Sequence, residues 1–131
     1  MADLLQVGSD WLEDKRTEFM SRLVNYRRGN NGVDVQATVG KTVFDIQNEY
    51  GLIEKTETRD YLILADDLVL DGVAILPKRG DRVQEEAGDT IYIYEVMAPG
   101  NEPEWRYSDA YRKTLRIHTK MVAVAPKLPA N

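Results

Sequence analysis

Thr90-Ile-Tyr-Ile-Tyr-Glu-Val-Met97 alternates with a period of two, Ile91 and Ile93 against Tyr92 and Tyr94. Successive side chains of a strand point to opposite faces, so this run predicts a strand with both faces occupied. Gly88-Asp89 before it predicts a turn back to a shorter strand at Asp81 to Gln84. Upstream, Leu68 to Leu70 and Val73 to Leu76 flank Asp71-Gly72, and Asp60 to Leu64 is another short apolar run. Downstream, the proline-rich Ala98-Pro-Gly-Asn-Glu-Pro103 leads to Trp105-Arg-Tyr107, and a last strand is expected from Thr114 to Val122, with Leu115 and Ile117 on one face. Many short strands without any βαβ alternation predict a mainly β fold, a small antiparallel barrel or sandwich.

The N-terminal part has a different period. Asp10 followed three residues later by Glu13 is a reciprocal capping arrangement, and Leu12, Phe19, Met20 and Leu23 recur at helical spacing. An N-terminal α-helix is therefore expected from about Asp10 to Ser21. Leu23 to Arg28 and Val33 to Val39 then flank Gly29-Asn-Asn-Gly32 as a hairpin. Residues 40–58, with Gly40, Gly51 and the polar run Glu54-Lys-Thr-Glu-Thr58, read as a long inserted loop with a short strand at Thr42 to Ile46. The expected organisation is one domain: an arm over 1–8, a helix over 9–22, a β-barrel over 23–124 and a C-terminal arm over 125–131, where two prolines and no periodicity stand.

The 131 residues, 43% hydrophobic and 30% charged, suit a single core. No window reaches the roughly 18 consecutive apolar residues that a membrane span needs, and Met1-Ala-Asp-Leu-Leu5 has no basic start, so a soluble, unprocessed chain is expected. The absence of cysteine excludes disulfides, thiolate metal sites and cysteine nucleophiles, and a single histidine excludes multi-histidine metal sites. A net charge of -5 argues against a non-specific grip on duplex DNA. Two basic clusters, Arg22, Arg27 and Arg28, then Arg106, Arg112, Lys113, Arg116 and Lys120, leave docking on an acidic protein partner open.

No motif assembles into chemistry. Gly40-Lys41-Thr42 resembles the end of a phosphate-binding loop, but Val35 stands where that motif requires its first glycine. His118 falls on the strand face opposite Leu115 and Ile117, and a solvent-facing structural histidine is expected there. Ser9, Ser21 and Ser108 lie in no nucleophile-elbow pattern. Asp66-Asp67 and Glu85-Glu86 lack the ligand spacing of a calcium loop and read as solvated turn charges. No catalytic residue, metal or cofactor is expected, and the protein is read as a non-enzyme.

Leu76-Pro-Lys-Arg-Gly-Asp-Arg-Val83, Tyr94-Glu-Val-Met97, Trp105-Arg106 and Leu115-Arg-Ile-His-Thr-Lys120 resemble segments of tailed-phage head-tail joining proteins, the stopper or head-completion group. The resemblance extends through Val24-Asn-Tyr-Arg-Arg-Gly29, Val35-Gln-Ala-Thr-Val-Gly40 and Arg59-Asp-Tyr-Leu-Ile63. It implies a structural virion protein of the neck, assembled in the host cytoplasm. Such a protein forms a hexameric or dodecameric ring that closes the DNA channel below the portal and its adaptor. Its implied partners are further copies of itself, the portal or adaptor, a tail-completion or tail protein, and packaged DNA passing without specific binding; no membrane is implied. Trp11, Arg27, Arg28, Phe44, Tyr50, Trp105 and Arg106 are the expected interface residues, and Lys41 to Thr58 the expected lumen-facing or neighbour-contacting loop. Two alternatives stay open: a tail-completion or terminator protein, and an OB-like nucleic-acid-binding module with Tyr92, Tyr94 and Trp105 as its stacking platform.

Overall fold

The computed structural model describes residues 21–127. In chain order the strands are β1 (Ser21–Arg28), β2 (Asn31–Gln47), β3 (Ile53–Leu64), β4 (Val69–Leu70), β5 (Val73–Ala74), β6 (Arg82–Ala87), β7 (Thr90–Val96), β8 (Trp105–Tyr107) and β9 (Thr114–Pro126). All pairings are antiparallel, in the order β3-β2-β1-β6-β7-β9-β8, and β3 also pairs with β9. That last ladder, from Arg59↔Thr119 to Leu64↔Thr114, closes the sheet on itself. With β8 appended outside the ring, the remaining six strands form a barrel.

Alternation fills the interior. Val24 and Tyr26 of β1, Val35 and Ala37 of β2, Tyr61 and Ile63 of β3, Val83 of β6, Val96 of β7, and Leu115 and Ile117 of β9 all point inward and are buried. The β4-β5 hairpin closes one end by burying Leu68 and Leu70. Its turn is Asp71-Gly72, both with positive φ, 51° and 76°. This is the geometry that matches the twist of a tight hairpin, and glycine adopts it without strain.

The predicted strands at Thr90 to Met97, Asp60 to Leu64 and Trp105 to Tyr107 fall on β7, β3 and β8, with Met97 just past the end of β7, whereas of Val73 to Leu76 only Val73–Ala74 is strand; the Gly29-Asn30 turn joins β1 to β2. The expected helix lies outside the described residues except at its end, where Ser21 and Arg22 open β1 as strand. Ala125 and Pro126, expected in the C-terminal arm, belong instead to β9, which pairs with β7 through Pro126, and Lys127 N–H donates to Asp89 O; the rest of the expected arm lies outside the described residues.

The largest correction concerns the expected long loop. Residues 41–47 and 53–59 pair in unbroken register from Lys41↔Arg59 to Gln47↔Ile53, so the segment is a two-stranded ribbon continuing β2 and β3 beyond the barrel. Seven residues at about 3.3 Å each carry its tip roughly 23 Å from its root. One face of the ribbon is exposed and the other only partly covered, by His118 and the Gly100 loop, so it needs no strong apolar stripe. The polar run Glu54 to Thr58 therefore carries no period-two hydrophobic signal, although it is strand.

Truncation of the barrel interior should weaken the fold by the usual cost of a cavity. Ile63→Ala and Ile117→Ala, both at fully buried positions, are expected to lose about 2–5 kcal/mol in urea unfolding. Val73→Ala on exposed β5 is expected to stay within about 0.5 kcal/mol.

Candidate functional site

The ribbon leaves the barrel at Gly40↔Asp60, and the Asp60 carboxylate is fully buried there on the outer face of the seam. Four side chains from three strands satisfy it. Thr58 Oγ1 donates to Oδ1 at 2.7 Å, Arg116 Nε donates to Oδ2 at 2.7 Å, His118 Nδ1 lies 2.8 Å from Oδ1, and Thr42 Oγ1 also donates to Oδ2. Arg116 Nη2 reaches on to Lys41 O at 3.1 Å. Burial by itself pushes the Asp60 carboxyl up, but hydrogen bonds from His118, Thr42 and Thr58 outweigh it and hold the group down at about 2. The cluster thus ties both ribbon strands to β9 at the closing ladder.

His118 is buried, not solvent-facing as expected. The face opposite Leu115 and Ile117 is covered too, by Phe44 edge-on to the imidazole at 5.3 Å and by the loop before β8, where Glu104 O accepts from His118 N–H at 2.9 Å. The threonine hydroxyls nearby donate to Asp60, so the arrangement acts as a clamp.

On the inner face, the barrel mouth beneath the ribbon holds a second charged cluster. Arg59 Nη2 donates to both oxygens of Glu85 at 2.8 Å, Arg59 Nε donates to Tyr61 Oη at 3.1 Å, and the guanidinium lies 5.0 Å from the Tyr94 ring centre. Burial works against the Arg59 charge, yet the bonds to Glu85 and Tyr61 raise its pKa overall; burial raises that of the Tyr61 phenol. Glu85 belongs to β6 and is buried, which corrects the reading of Glu85-Glu86 as turn charges. Beside it, where β3 and β9 part, opens a cavity of about 570 Å³ lined by Val39, Lys41, Glu57, Arg59, Tyr94, Lys120 and Met121 among others.

A third cluster closes the far end. Asp81 is buried, takes Arg28 Nε and Nη2 on its two oxygens at 2.9 and 2.7 Å, and accepts from Tyr26 Oη at 2.5 Å and from Lys78 N–H at 3.0 Å. Arg28 Nη2 also donates to Leu76 O. This pins the Leu76 to Asp81 turn against β1. Burial, then the bond to Asp81, pushes the Tyr26 phenol up.

The expected interface residues do not meet in one patch. Phe44 and Tyr50 lie on the ribbon, Phe44 half-buried against His118 and Tyr50 80% exposed at the tip. Arg27 and Arg28 lie at the far end, Arg27 bonded to Asn25 Oδ1 at 3.2 Å and Arg28 committed to Asp81. Trp105 packs edge-on against Tyr107 at 5.2 Å, and Arg106 is exposed opposite Arg116. Trp11 lies outside the described residues. Gly40-Lys41-Thr42 lies in β2 with its backbone in the ladder to β3, so it cradles no phosphate. Among the described residues no group of acids and histidine is placed to hold a metal. Sequence reasoning missed the buried acids. The available signal was an acid inside a strand run, as Asp60 in Arg59-Asp-Tyr-Leu-Ile63 and Glu85 two residues beyond inward Val83.

Removing the Asp60 charge should cost about 3–5 kcal/mol, since it strands His118 and Arg116. The pH dependence has a definite sign. The folded value of about 2 lies below the ordinary 3.8, so the stabilisation is complete above the unfolded value and disappears as pH falls toward 2. Between pH 5 and 2 the native protein should therefore lose about 2 kcal/mol that Asp60→Asn does not, measured by urea unfolding at each pH.

No curated protein matches the chain. A family model described as phage head-tail joining protein matches residues 2–126. That span takes in the nine strands of the described residues, the ribbon and the three acid clusters, and the chain belongs to the phage head-tail joining protein family.

Proposed function

We propose that this protein is a ring-forming stopper of the phage neck, a subunit that closes the DNA channel below the portal and its adaptor. Membership in the head-tail joining family supports a structural role where head meets tail. The observation that carries the finer reading is the ribbon itself. A barrel with three buried acid clusters extends two strands roughly 23 Å beyond its closing ladder, and the tip they carry displays Tyr50, Leu52 and Ile53, 80%, 65% and 71% exposed. A monomer gains nothing from displaying such a tip, whereas ring subunits need an element that reaches beyond their own body.

The charge supports the same reading. A subunit at -5 repels packaged DNA, so the duplex passes or rests without adhering to the protein. The partners in this reading are other copies of the chain, the portal or adaptor on the head side and a tail-completion or tail protein on the other.

The test is the copy number of the chain in purified, DNA-filled particles, measured by quantitative mass spectrometry against the portal protein. About six or twelve copies per particle are expected for a closed ring. Particles assembled without the chain should lose packaged DNA before tails attach. If such particles keep their DNA and lack only tails, the chain is a tail-completion protein; absence of the chain from mature particles removes the neck role altogether.

A further inference from the structure

Resting on the ring reading above, the geometry points to the contact that builds the ring: the ribbon tip of one copy seats in the barrel-mouth cavity of the next. The two surfaces match in polarity, and the acids of the tip face a cavity whose charged lining is mainly basic.

The tip is rigid. Asn48 organises it, its Oδ1 accepting from Tyr50 N–H and Leu52 N–H at 2.9 Å each and its Nδ2 donating to Glu54 at 3.0 Å, while its own N–H donates to Leu52 O at 2.8 Å. These bonds fix the backbone that displays Tyr50, Leu52 and Ile53, so little freedom remains to be lost on docking. From Gln47 to Glu54 the tip carries two acids, Glu49 and Glu54, and no basic residue.

The cavity is the counterpart. It is open toward solvent, and its volume of about 570 Å³ is large enough to receive a few side chains. Val39, Tyr94 and Met121 give it an apolar part, and Lys41, Lys120 and Arg59 outnumber the single acid Glu57 in its lining. Neither lysine makes an ion pair among the described residues. Strand edges are open there too: β3 pairs with β9 only from Arg59 onward, and β9 beyond Thr119 pairs only with β7. An incoming extended segment therefore meets backbone groups able to bond it.

Reach decides between the chain's own tip and a neighbour's. The cavity is at the ribbon's root, lined by residues flanking Gly40 and Thr58, and the tip stands roughly 23 Å away on a paired, extended ribbon. A tip cannot fold back into its own cavity without breaking that ladder. A second copy supplies one tip and one cavity in turn, which is the head-to-tail contact that closes a ring.

The test uses the absence of cysteine from the chain. Tyr50→Cys and Met121→Cys, both at exposed positions, are combined in one chain, incorporated into particles and oxidised mildly. A ladder of covalent multimers on a non-reducing gel is the expected result, with no ladder from either single variant. Lys120→Glu added to the pair should lower the ladder several-fold, and Glu54→Lys alongside it should restore the yield. An intrachain disulfide would overturn the proposal. So would capture of the Met121→Cys thiol by Leu12→Cys in the same chain, which would place the upstream segment in the cavity, or linkage of the Tyr50→Cys thiol to a different virion protein. A chain present at about six or twelve copies that gives no ladder refutes this contact and leaves the ring standing. A chain absent from particles removes both.

Discussion

A carboxylate buried from water must be met by donors or take up a proton, and Asp60 is met by four side chains from β2, β3 and β9. Much of the architecture follows from where that group sits. It lies on the outer face of the ladder that turns an open sheet into a closed barrel, at the residue pair where the ribbon departs. The donors that satisfy it also fix the ribbon's direction, because Arg116 bonds Lys41 O as well as the carboxylate and Phe44 rests on His118. Closure and projection are two results of one polar cluster, and neither strand of the ribbon can shift register without unpairing a buried charge.

The two other buried acids do comparable work at opposite ends. Glu85 gathers Arg59 at the mouth, and Asp81 gathers Arg28 and Tyr26 at the base. In a barrel this small the apolar interior is short, about two inward residues per strand on β1, β2, β3 and β9. Paired charges close both ends where a larger protein would add further apolar layers. Pairing of this kind contributes less net stability than its short distances imply, since each ion loses its hydration, but it penalises alternative registers heavily. Specificity of strand pairing is what a ribbon-bearing barrel needs most, because a one-residue slip would turn the exposed face of the ribbon inward.

Those pairings also explain what the sequence disclosed and what it hid. Thr90 to Met97 announces itself because both its faces meet protein, and Asp71-Gly72 announces a turn through residues that accept positive φ. The ribbon was hidden because its strands have no core to face. Thr42-Val-Phe-Asp-Ile46 alternates well enough to read as strand, but Glu54 to Thr58 shows only polarity, and polarity alone reads as loop. His118 and Glu85 were hidden for a different reason: a histidine or glutamate between polar neighbours looks solvated until tertiary contacts bring Asp60 or Arg59 to it from far along the chain. The expected interface residues divide in the same way. Arg28 was expected at an interface but is bound to Asp81, while Tyr50, expected there too, is the most exposed large hydrophobic among the described residues.

Stability in this chain is therefore distributed unevenly, and the distribution suits a joining protein. The barrel carries the buried side chains and all three acid clusters, so its opening approaches global unfolding. The ribbon carries backbone bonds between two strands, side chains exposed on one face, and a tip ordered by a single asparagine. An isolated two-stranded ribbon is marginal in water, and this one is held by its root and by Ile46 packing near Gly100 in the proline-rich loop. The barrel is thus the stable body of the subunit, and the ribbon holds out an exposed apolar tip whose backbone Asn48 already fixes.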